Sequence, residues 1–266
     1  MIKGIDISHW QNKINWKEVA KDDVKFAIIK ATEAVGYVDP TLEENTKGAR
    51  DNGILLGFYH FARGNNPHKE ADFFLSKLPK LQEGELLVLD YEINIVKEVE
   101  WCRMFLDRVF DKTGIRPILY TNEARVKSIN WQYVIDGNYG LWVAKYGANN
   151  GKRNQEPNIG QWPFAVMWQY TSRGSIGGIK GNVDLNVAFV EDVETLKKYG
   201  KPKPKPENDE KDDQIEEIGK RLDETRKELE EEKEKRKQAE RREEIMENKN
   251  KTLKETIDKI KSIANY

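Results

Sequence analysis

Short apolar segments alternate with amphipathic segments along the first part of the chain. Five segments have the apolar pattern of buried strands, namely IKGIDIS, KFAIIKAT, ILLGFYHF, ELLVLDYE and RPILYT. Each is followed by a stretch with helical spacing of apolar residues, within 16–21, 41–52, 68–78, 96–112 and 123–129. Strands that alternate with helices predict βα units and a parallel sheet.

The alternation changes after Gly140. Three further strand-like segments follow, LWVAKYG, FAVMWQYT and NVDLN, and the segments that join them are rich in Gly, Asn and Pro and leave no room for helices. Eight strands, of which only the first five carry helices, predict an α/β fold in which a barrel is incomplete on its helical side. In such barrels the active site lies at the C-terminal ends of the strands.

Acidic residues fall at the ends of three of these strands. Asp6 lies near the end of the first strand, Asp90 and Glu92 at the end of the fourth, and Asp184 near the end of the eighth. Residues i and i+2 of a strand share a face, so Asp90 and Glu92 point the same way with Cα atoms about 6.5 to 7 Å apart. Four carboxylates crowded at one mouth should raise at least one pKa, which supplies a protonated acid beside an ionised one. Acid-assisted cleavage of a glycosidic bond needs this pair.

Aromatic residues near the same strand ends are consistent with a sugar site, because aromatic faces pack against the apolar faces of sugar rings. Barrel-core packing is the alternative for any one of them. The set comprises Trp10, Tyr59, Tyr91, Tyr120, Trp142, Tyr146, Trp168 and Tyr170. His60 could be a ligand or an acid, but a structural histidine with satisfied hydrogen bonds is favoured.

Other chemistries receive little support. The first 200 residues contain 26 basic and 26 acidic residues, so charge predicts no nucleic-acid partner. The single Cys102 excludes an intrachain disulfide and a Cys-based zinc site. Its helical spacing with apolar neighbours favours a buried thiol over a catalytic nucleophile. Clustered acids could bind Mg²⁺ or Ca²⁺, but their spacing matches no calcium loop. The segment GSIGGIKG lacks the order of a phosphate loop and is interpreted as a connection between strands. No segment is apolar over the roughly 18 residues of a membrane span.

The last quarter of the chain has a different composition. Of the 66 residues from 201 to 266, 39 are charged, so they cannot build a globular core. We therefore predict a catalytic barrel over 1–199, a Pro/Lys-rich linker over 200–211 and a helical region over 212–266. Apolar residues in the helical region keep a heptad register from Ile215 to Ile260 with a weak centre. Self-association as a coiled coil is favoured. The alternatives are a helical hairpin that turns near ENKNK (247–251), as a cell-wall-binding module, and a partly disordered tail.

Several segments together resemble the family 25 glycoside hydrolases, the lysozymes that include many phage endolysins. They are GIDIS, LVLDYE, LYT, LWVAKYG and WQYTSRGSIGGIKGNVDLN, and the resemblance covers roughly residues 2–190. It implies a flattened TIM-like barrel of five βα units and three further strands, without a cofactor. It implies that Glu92 is the proton donor, that Asp90 is its partner, and that Asp6 and Asp184 hold the site. Ala34 and Glu70 depart from the family pattern, where glycine and glutamine are expected, and both bear on substrate detail only.

The resemblance also implies the substrate, which is the β-1,4 bond between N-acetylmuramic acid and N-acetylglucosamine in peptidoglycan. The expected substrate-binding residues are Tyr59, Tyr91, Tyr120, Trp142, Tyr146, Trp168 and Gln169. With Glu92 as acid, Asp90 could activate water with inversion or support attack by the substrate's own acetamido group with retention. Retention is favoured because an i, i+2 pair cannot easily flank the sugar from both sides.

The N-terminus shows no signal-peptide pattern. We therefore expect an endolysin that is made in the bacterial cytoplasm and acts on the wall after release, with peptidoglycan strands as partner and no membrane partner. A catalytically silent carbohydrate-binding barrel is the alternative, and the presence of all four acids argues against it.

Overall fold

The computed structural model describes residues 1–203 and, farther along, residues 219, 221–222, 225, 227–229, 232–238, 241–242, 246 and 249. The chain divides into two compact units, Met1–Asn208 and Asp209–Tyr266, and each is described by itself. The predicted linker at 200–211 spans this division, and its residues from 204 onward lie outside the described part.

The first unit contains a closed barrel. Its strands are β1 (Ile2–Ile7), β2 (Phe26–Glu33), β3 (Tyr37–Val38), β4 (Leu55–Phe61), β5 (Leu86–Asp90), β6 (Ile118–Asn122), β7 (Gly140–Ala144), β8 (Met167–Gly174) and β9 (Val183–Ala188). The order is β1-β9-β8-β7-β6-β5-β4-β2-β3, and an additional β1–β2 pairing closes eight strands into a barrel. The eight predicted strands are confirmed. The two-residue β3, which pairs antiparallel with the end of β2, is an addition too short for a sequence pattern to show.

Helices cover the part of the barrel that the sequence indicates. They are α1 (Trp16–Lys21), α2 (Leu42–Asp51), α3 (Pro67–Lys77), α4 (Glu98–Thr113), α5 (Glu123–Ser128), α6 (Gln132–Asp136) and α7 (Val193–Lys197), with 3₁₀ turns at His9–Gln11 and Lys198–Gly200. As predicted, the segments that join β7, β8 and β9 contain no helix, whereas α7 follows the last strand, which was expected to carry none. This helix is only five residues long, and it begins where the Asp192 side chain accepts a hydrogen bond from the Thr195 backbone N–H at 2.7 Å.

Strand direction corrects the placement of one acid. Seven barrel strands run parallel, but β9 is antiparallel to both of its neighbours, β8 and β1. Asp184 is the second residue of β9, so the prediction that it lies near the end of the last strand is wrong. Because β9 runs the opposite way, its start is at the end of the barrel where the parallel strands finish.

Apolar side chains fill the barrel interior below this mouth. Phe26, Val88, Trp142 and Met167 belong to one buried cluster contributed by different strands. Gly4 on β1 makes room for it, since a Cβ at this position would lie 2.3 Å from the Phe26 ring. The interior is thus a packed core that supports whatever lies at the mouth.

The described residues of the second unit are helical throughout. Leu229 and Met246, two of the predicted heptad positions, are 50% and 60% exposed. The heptad positions at 215–218 and beyond 249, and most of the hairpin turn considered at 247–251, lie outside the described residues.

Candidate active site

Asp6 is the most extensively bonded acid at the mouth. Its Oδ2 atom accepts hydrogen bonds from Gln169 Nε2 at 2.8 Å and from Asn186 Nδ2 at 2.7 Å. Asp184 is the Cα partner of Asp6 across the β1–β9 pair. Asn186 was not predicted, although it stands two residues after Asp184 on the same strand and therefore shares its face, a signal that the sequence contains.

Asp90 and Glu92 reach the same mouth from β5. The strand is buried on both faces up to Asp90, and beyond it the backbone is held by Tyr91 N–H, which donates to Tyr120 O at 3.0 Å. Asp90 is 9% exposed, and its Oδ1 atom is buried without a hydrogen-bond partner among the described residues. Glu92 is exposed. Its charge raises the pKa of Asp6, Asp90 and Asp184, so the four acids form one electrostatic group.

Burial is the main cause of the altered acidities. It raises the pKa of Asp6 to about 6, against the opposing effect of the Asn186 and Gln169 hydrogen bonds. Burial and then the charges of Asp6 and Glu92 raise the pKa of Asp184 to about 8. Burial, followed by Glu92 and Asp6, raises the pKa of Asp90 well above its usual range. The prediction of at least one raised pKa is confirmed, with removal from water contributing more than mutual repulsion.

The amide of Gln169 links the aromatic residues to the acids. Its Oε1 atom accepts hydrogen bonds from Tyr120 Oη at 2.8 Å and from Tyr146 Oη at 2.7 Å, while its Nε2 atom donates to Asp6. Trp142 Nε1 donates to Asn186 Oδ1 at 2.9 Å in the same way. Each amide is oriented by an aromatic donor, so its N–H group is directed at the carboxylate.

Two more inward-facing residues complete the wall. Tyr59 packs against the core cluster, and burial and the charge of Asp90 raise its pKa well above the usual range. Lys30 is 8% exposed and pairs with Glu33 at 2.6 Å. Its ammonium lowers the pKa of Asp90, whereas the neighbouring carboxylates raise it. Lys30 was not predicted, although it lies two residues after Ile28 on a strand whose interior face includes Ile28.

The structure does not bring Tyr91 and Trp168 to the mouth. Tyr91 is fully buried and packs against Trp101 and Trp131, on the side of the sheet opposite to Asp90. Trp168 alternates with the inward-facing Met167 and Gln169, and its Nε1 atom donates to the Lys145 carbonyl at 2.9 Å. Strand alternation is the reason in both cases, since each residue directly follows one that faces the interior.

Two further expectations from the sequence are confirmed. His60 is a buried structural residue whose Nδ1 atom lies 2.8 Å from Thr32 Oγ1 and whose Nε2 atom lies 2.8 Å from Glu70 Oε2. Glu70, one of the two departures from the family pattern, also accepts the backbone N–H groups of Arg63 and Asn65. Cys102 is a buried free thiol.

No group of three or more His, Cys, Asp and Glu side chains in the described part of the chain is arranged to hold a metal ion. Among the same residues, no helix combines the length and the apolar composition needed to cross a membrane.

Comparison with known proteins agrees with this site. The family model of the glycosyl hydrolases family 25 matches residues 5–179. Lysozyme M1 of Streptomyces globisporus is 30% identical over an alignment of 208 residues, which covers 70% of this chain and 67% of that protein. The crystal structure of a bacterial lysozyme from Streptomyces coelicolor has a TM-score of 0.63 at 29% identity and covers 74% of this chain and 96% of that one.

A phage enzyme shows the same similarity. The catalytic domain of endolysin ply40 from bacteriophage P40 of Listeria monocytogenes has a TM-score of 0.61 at 31% identity, covering 74% of this chain and 97% of that chain. The resemblance seen in the sequence is thereby confirmed. The chain belongs to family 25 of the glycosyl hydrolases and is a glycoside hydrolase of the lysozyme type.

Proposed function

We propose that this chain cleaves the β-1,4 bond between N-acetylmuramic acid and N-acetylglucosamine in peptidoglycan, with Glu92 as the proton donor. One observation carries the assignment of the donor. Glu92 is the exposed member of the group of four acids, so it is the carboxyl group that a polymer at the mouth meets first.

Asp90 is proposed as the partner of Glu92 in the reaction. Its Oδ1 atom has no hydrogen-bond partner among the described residues and is closed to solvent, so a substrate N–H group can supply the partner once the Asp90 side chain turns toward the mouth. The acetamido group of the muramic acid ring carries such an N–H. Hydrogen bonding to Asp90 would orient this group so that its carbonyl oxygen attacks the anomeric carbon while Glu92 protonates the leaving oxygen, which is the retaining route.

Asp6 and Asp184 are proposed to set the net charge beside the reacting acids. At pH 7 a pKa of about 6 leaves Asp6 mostly ionised, and a pKa of about 8 leaves Asp184 mostly protonated. The pair thus keeps one negative charge beside the reacting acids. Tyr59, Tyr120, Trp142, Tyr146 and Gln169 remain in the proposal as the wall that contacts or orients the sugar. Tyr91 and Trp168 do not, because they face away from the mouth.

The test is the release of reducing ends from purified peptidoglycan, with the ends identified by mass spectrometry. Glu92→Gln keeps the side-chain shape and removes the proton, so we expect activity to fall by about 10²- to 10⁴-fold. Glu43→Gln, an exposed acid on α2, is the matched control and should retain full activity. Binding to the wall without any release of sugar ends by the native chain would instead identify a carbohydrate-binding barrel.

The biological setting and the chain organisation belong to the same proposal. Similarity to a phage endolysin domain supports action at the cell wall after synthesis in the bacterial cytoplasm and release. We further propose a barrel over 1–199, a linker over 200–211 and a helical region over 212–266 that self-associates as a coiled coil. The helical conformation of the described residues between 219 and 249, together with the exposure of Leu229 and Met246, supports the last element.

A further inference from the structure

A cavity of about 340 Å³ lies at the end of the barrel opposite the mouth. We call it the basal cavity, and its walls include Arg116, Tyr139, Trp162, Phe164, Lys198 and Tyr199. Its lining residues precede β6, β7 and β8 or follow β9, and all of these positions are at the base of the barrel because β9 is antiparallel. None of the four acids of the mouth takes part in it.

The aromatic walls of the basal cavity are fixed before any ligand arrives. Trp162 is 4% exposed and its Nε1 atom donates to the Tyr139 carbonyl at 3.1 Å. The Tyr139 hydroxyl donates to Asp107, and Arg103 binds that carboxylate at 2.7 Å. Phe164, by contrast, is 53% exposed at the opening of the cavity. Flat apolar surfaces of this kind stack on the apolar faces of sugar rings.

The described residues give the basal cavity a positive charge. Arg116, Lys198 and Lys203 line it, and no Asp or Glu does so in the described part of the chain. The Arg116 guanidinium stacks 4.2 Å from the Phe110 ring centre and donates to the Gly137 carbonyl, and it forms no ion pair with a carboxylate among the described residues. Lys198 attracts Asp192, but that carboxylate caps the start of α7. The cavity therefore offers an oriented cation that a ligand anion can neutralise.

We propose that the basal cavity binds one carboxylate-bearing sugar unit, as a second contact with the glycan besides the mouth. The volume is at the lower end of the roughly 300–1,000 Å³ typical of small-molecule pockets, which suits a single ring. The aromatic walls take the ring, and Arg116 and Lys198 take the carboxylate. The sugar is assigned as N-acetylmuramic acid whose lactyl group carries no stem peptide, because an amide-linked lactyl group has no charge for Arg116 and Lys198 to neutralise. This assignment rests on the proposed function, whereas the binding itself does not.

The test uses the full chain labelled with ¹⁵N-tryptophan, because the indole N–H of Trp162 reports on the basal cavity and those of other tryptophans do not. N-acetylmuramic acid should shift the Trp162 signal in a saturable way. N-acetylglucosamine, the neutral sugar without the lactyl carboxylate, should shift it at least tenfold less at equal concentration. Assignment of the signal follows from its loss in Trp162→Phe.

Variants separate a specific site from a general charge effect. Phe164→Ala and Lys198→Gln should each weaken the binding of N-acetylmuramic acid severalfold, and the exposed Lys69→Gln on α3 should leave it unchanged. Equal shifts with the acidic and the neutral sugar, or no shift at tens of millimolar, would overturn the proposal. A full shift with inorganic phosphate alone would overturn the sugar assignment.

Hydrolysis is measured separately on the same variants. Phe164→Ala should keep the rate on short soluble glycan fragments, which reach only the mouth, and should lose activity on long glycan strands from which the stem peptides have been removed. A Trp162 shift in a chain that releases no reducing ends would keep the basal site and reject the proposed reaction.

Discussion

Asp6 and Asp184 lie opposite each other as Cα partners on the antiparallel strands β1 and β9. Two carboxylates at adjacent positions of a largely buried site cannot both be charged without repulsion, and the charge of Asp6 raises the pKa of Asp184. Gln169 and Asn186 donate hydrogen bonds to Asp6, so the charge settles on Asp6 and the proton on Asp184. This division underlies the first two predictions.

Asp184→Asn should stabilise the protein at neutral and alkaline pH. The pKa of Asp184 is raised from 3.8 to about 8, so the folded state binds more protons than the unfolded state between these values, and stability is lost as pH rises through this window. Asparagine removes the ionisation. We expect the free energy of unfolding to rise on the order of 1 kcal/mol at pH 8 and to change little at pH 4, after allowance for solvent screening. Urea denaturation at both pH values measures this difference. Asp136→Asn, which replaces an exposed acid, should leave the free energy of unfolding unchanged at both pH values. Equal destabilisation by Asp184→Asn at pH 4 and pH 8 would contradict the raised pKa of Asp184.

Gln169→Leu should shift the acid limb of the pH–activity profile to higher pH. The Gln169 hydrogen bond lowers the pKa of Asp6, so its removal lets that pKa rise and Asp6 ionises at higher pH. We expect activity at pH 6 to fall about tenfold to a hundredfold, which corresponds to the roughly 1.5–3 kcal/mol of a hydrogen bond to a charged group. The exposed Gln132→Leu on α6 is the control. An unchanged acid limb would show that Asp6 does not govern it.

Glu70→Ala should destabilise the barrel strongly. This fully buried acid accepts hydrogen bonds from His60 and from the backbone N–H groups of Arg63 and Asn65. Alanine would leave these three donors without an acceptor. Removal of one partner of a buried pair costs about 3–5 kcal/mol. Glu70→Gln keeps an acceptor oxygen and should lose about 1 kcal/mol.

Chemical denaturation compares these two variants with Glu18→Ala, which breaks an exposed pair with Lys21 and should lose less than about 1 kcal/mol. Similar losses for Glu70→Ala and Glu18→Ala would contradict the role of Glu70.

The first product of hydrolysis should be the β-anomer. A donor and a partner that enter from the same strand end favour attack by the substrate's acetamido group, and this route retains configuration. Proton NMR during the first minutes of the reaction, before mutarotation, distinguishes the anomers. An initial α-anomer would favour activation of water by Asp90 instead.

The full chain should be larger in solution than its monomer mass of 30.9 kDa, and a chain that ends at Gly200 should be monomeric. Burial of the heptad seam between copies is the physical reason. Light scattering of both chains measures the difference. Identical monomeric masses would exclude self-association through the helical region.

Much of the fold follows from local patterns in the sequence. Buried strands need continuous apolar runs, so LLVL before Asp90 and AII before Lys30 predict β5 and β2 without knowledge of their neighbours. The acids at the strand ends follow in the same way, because a carboxylate ends an apolar run wherever the chain leaves the core. The buried thiol of Cys102 also follows from its apolar neighbours, and the structure agrees with the favoured interpretation of His60 as a structural histidine.

Other features depend on residues that are distant in sequence. The direction of β9 decides that Asp184 reaches the mouth, and strand pairing, not the segment NVDLN itself, sets this direction. Contacts between β6, β7, β8 and β1 decide that Gln169 orients Asp6. The basal cavity brings together Arg116, Trp162 and Lys198 from separate connections.

The sequence by itself determined the strands, the helices beside them, and the four acids with their family. The tertiary structure alone decided which acids are buried, which aromatic residues face the mouth, and which cations line the basal cavity. The physical reason is the separation in sequence over which each effect acts. Apolar periodicity depends on a few neighbouring residues. Desolvation and hydrogen bonding in the barrel depend on strands up to 180 residues apart, as in the contact between Asn186 and Asp6.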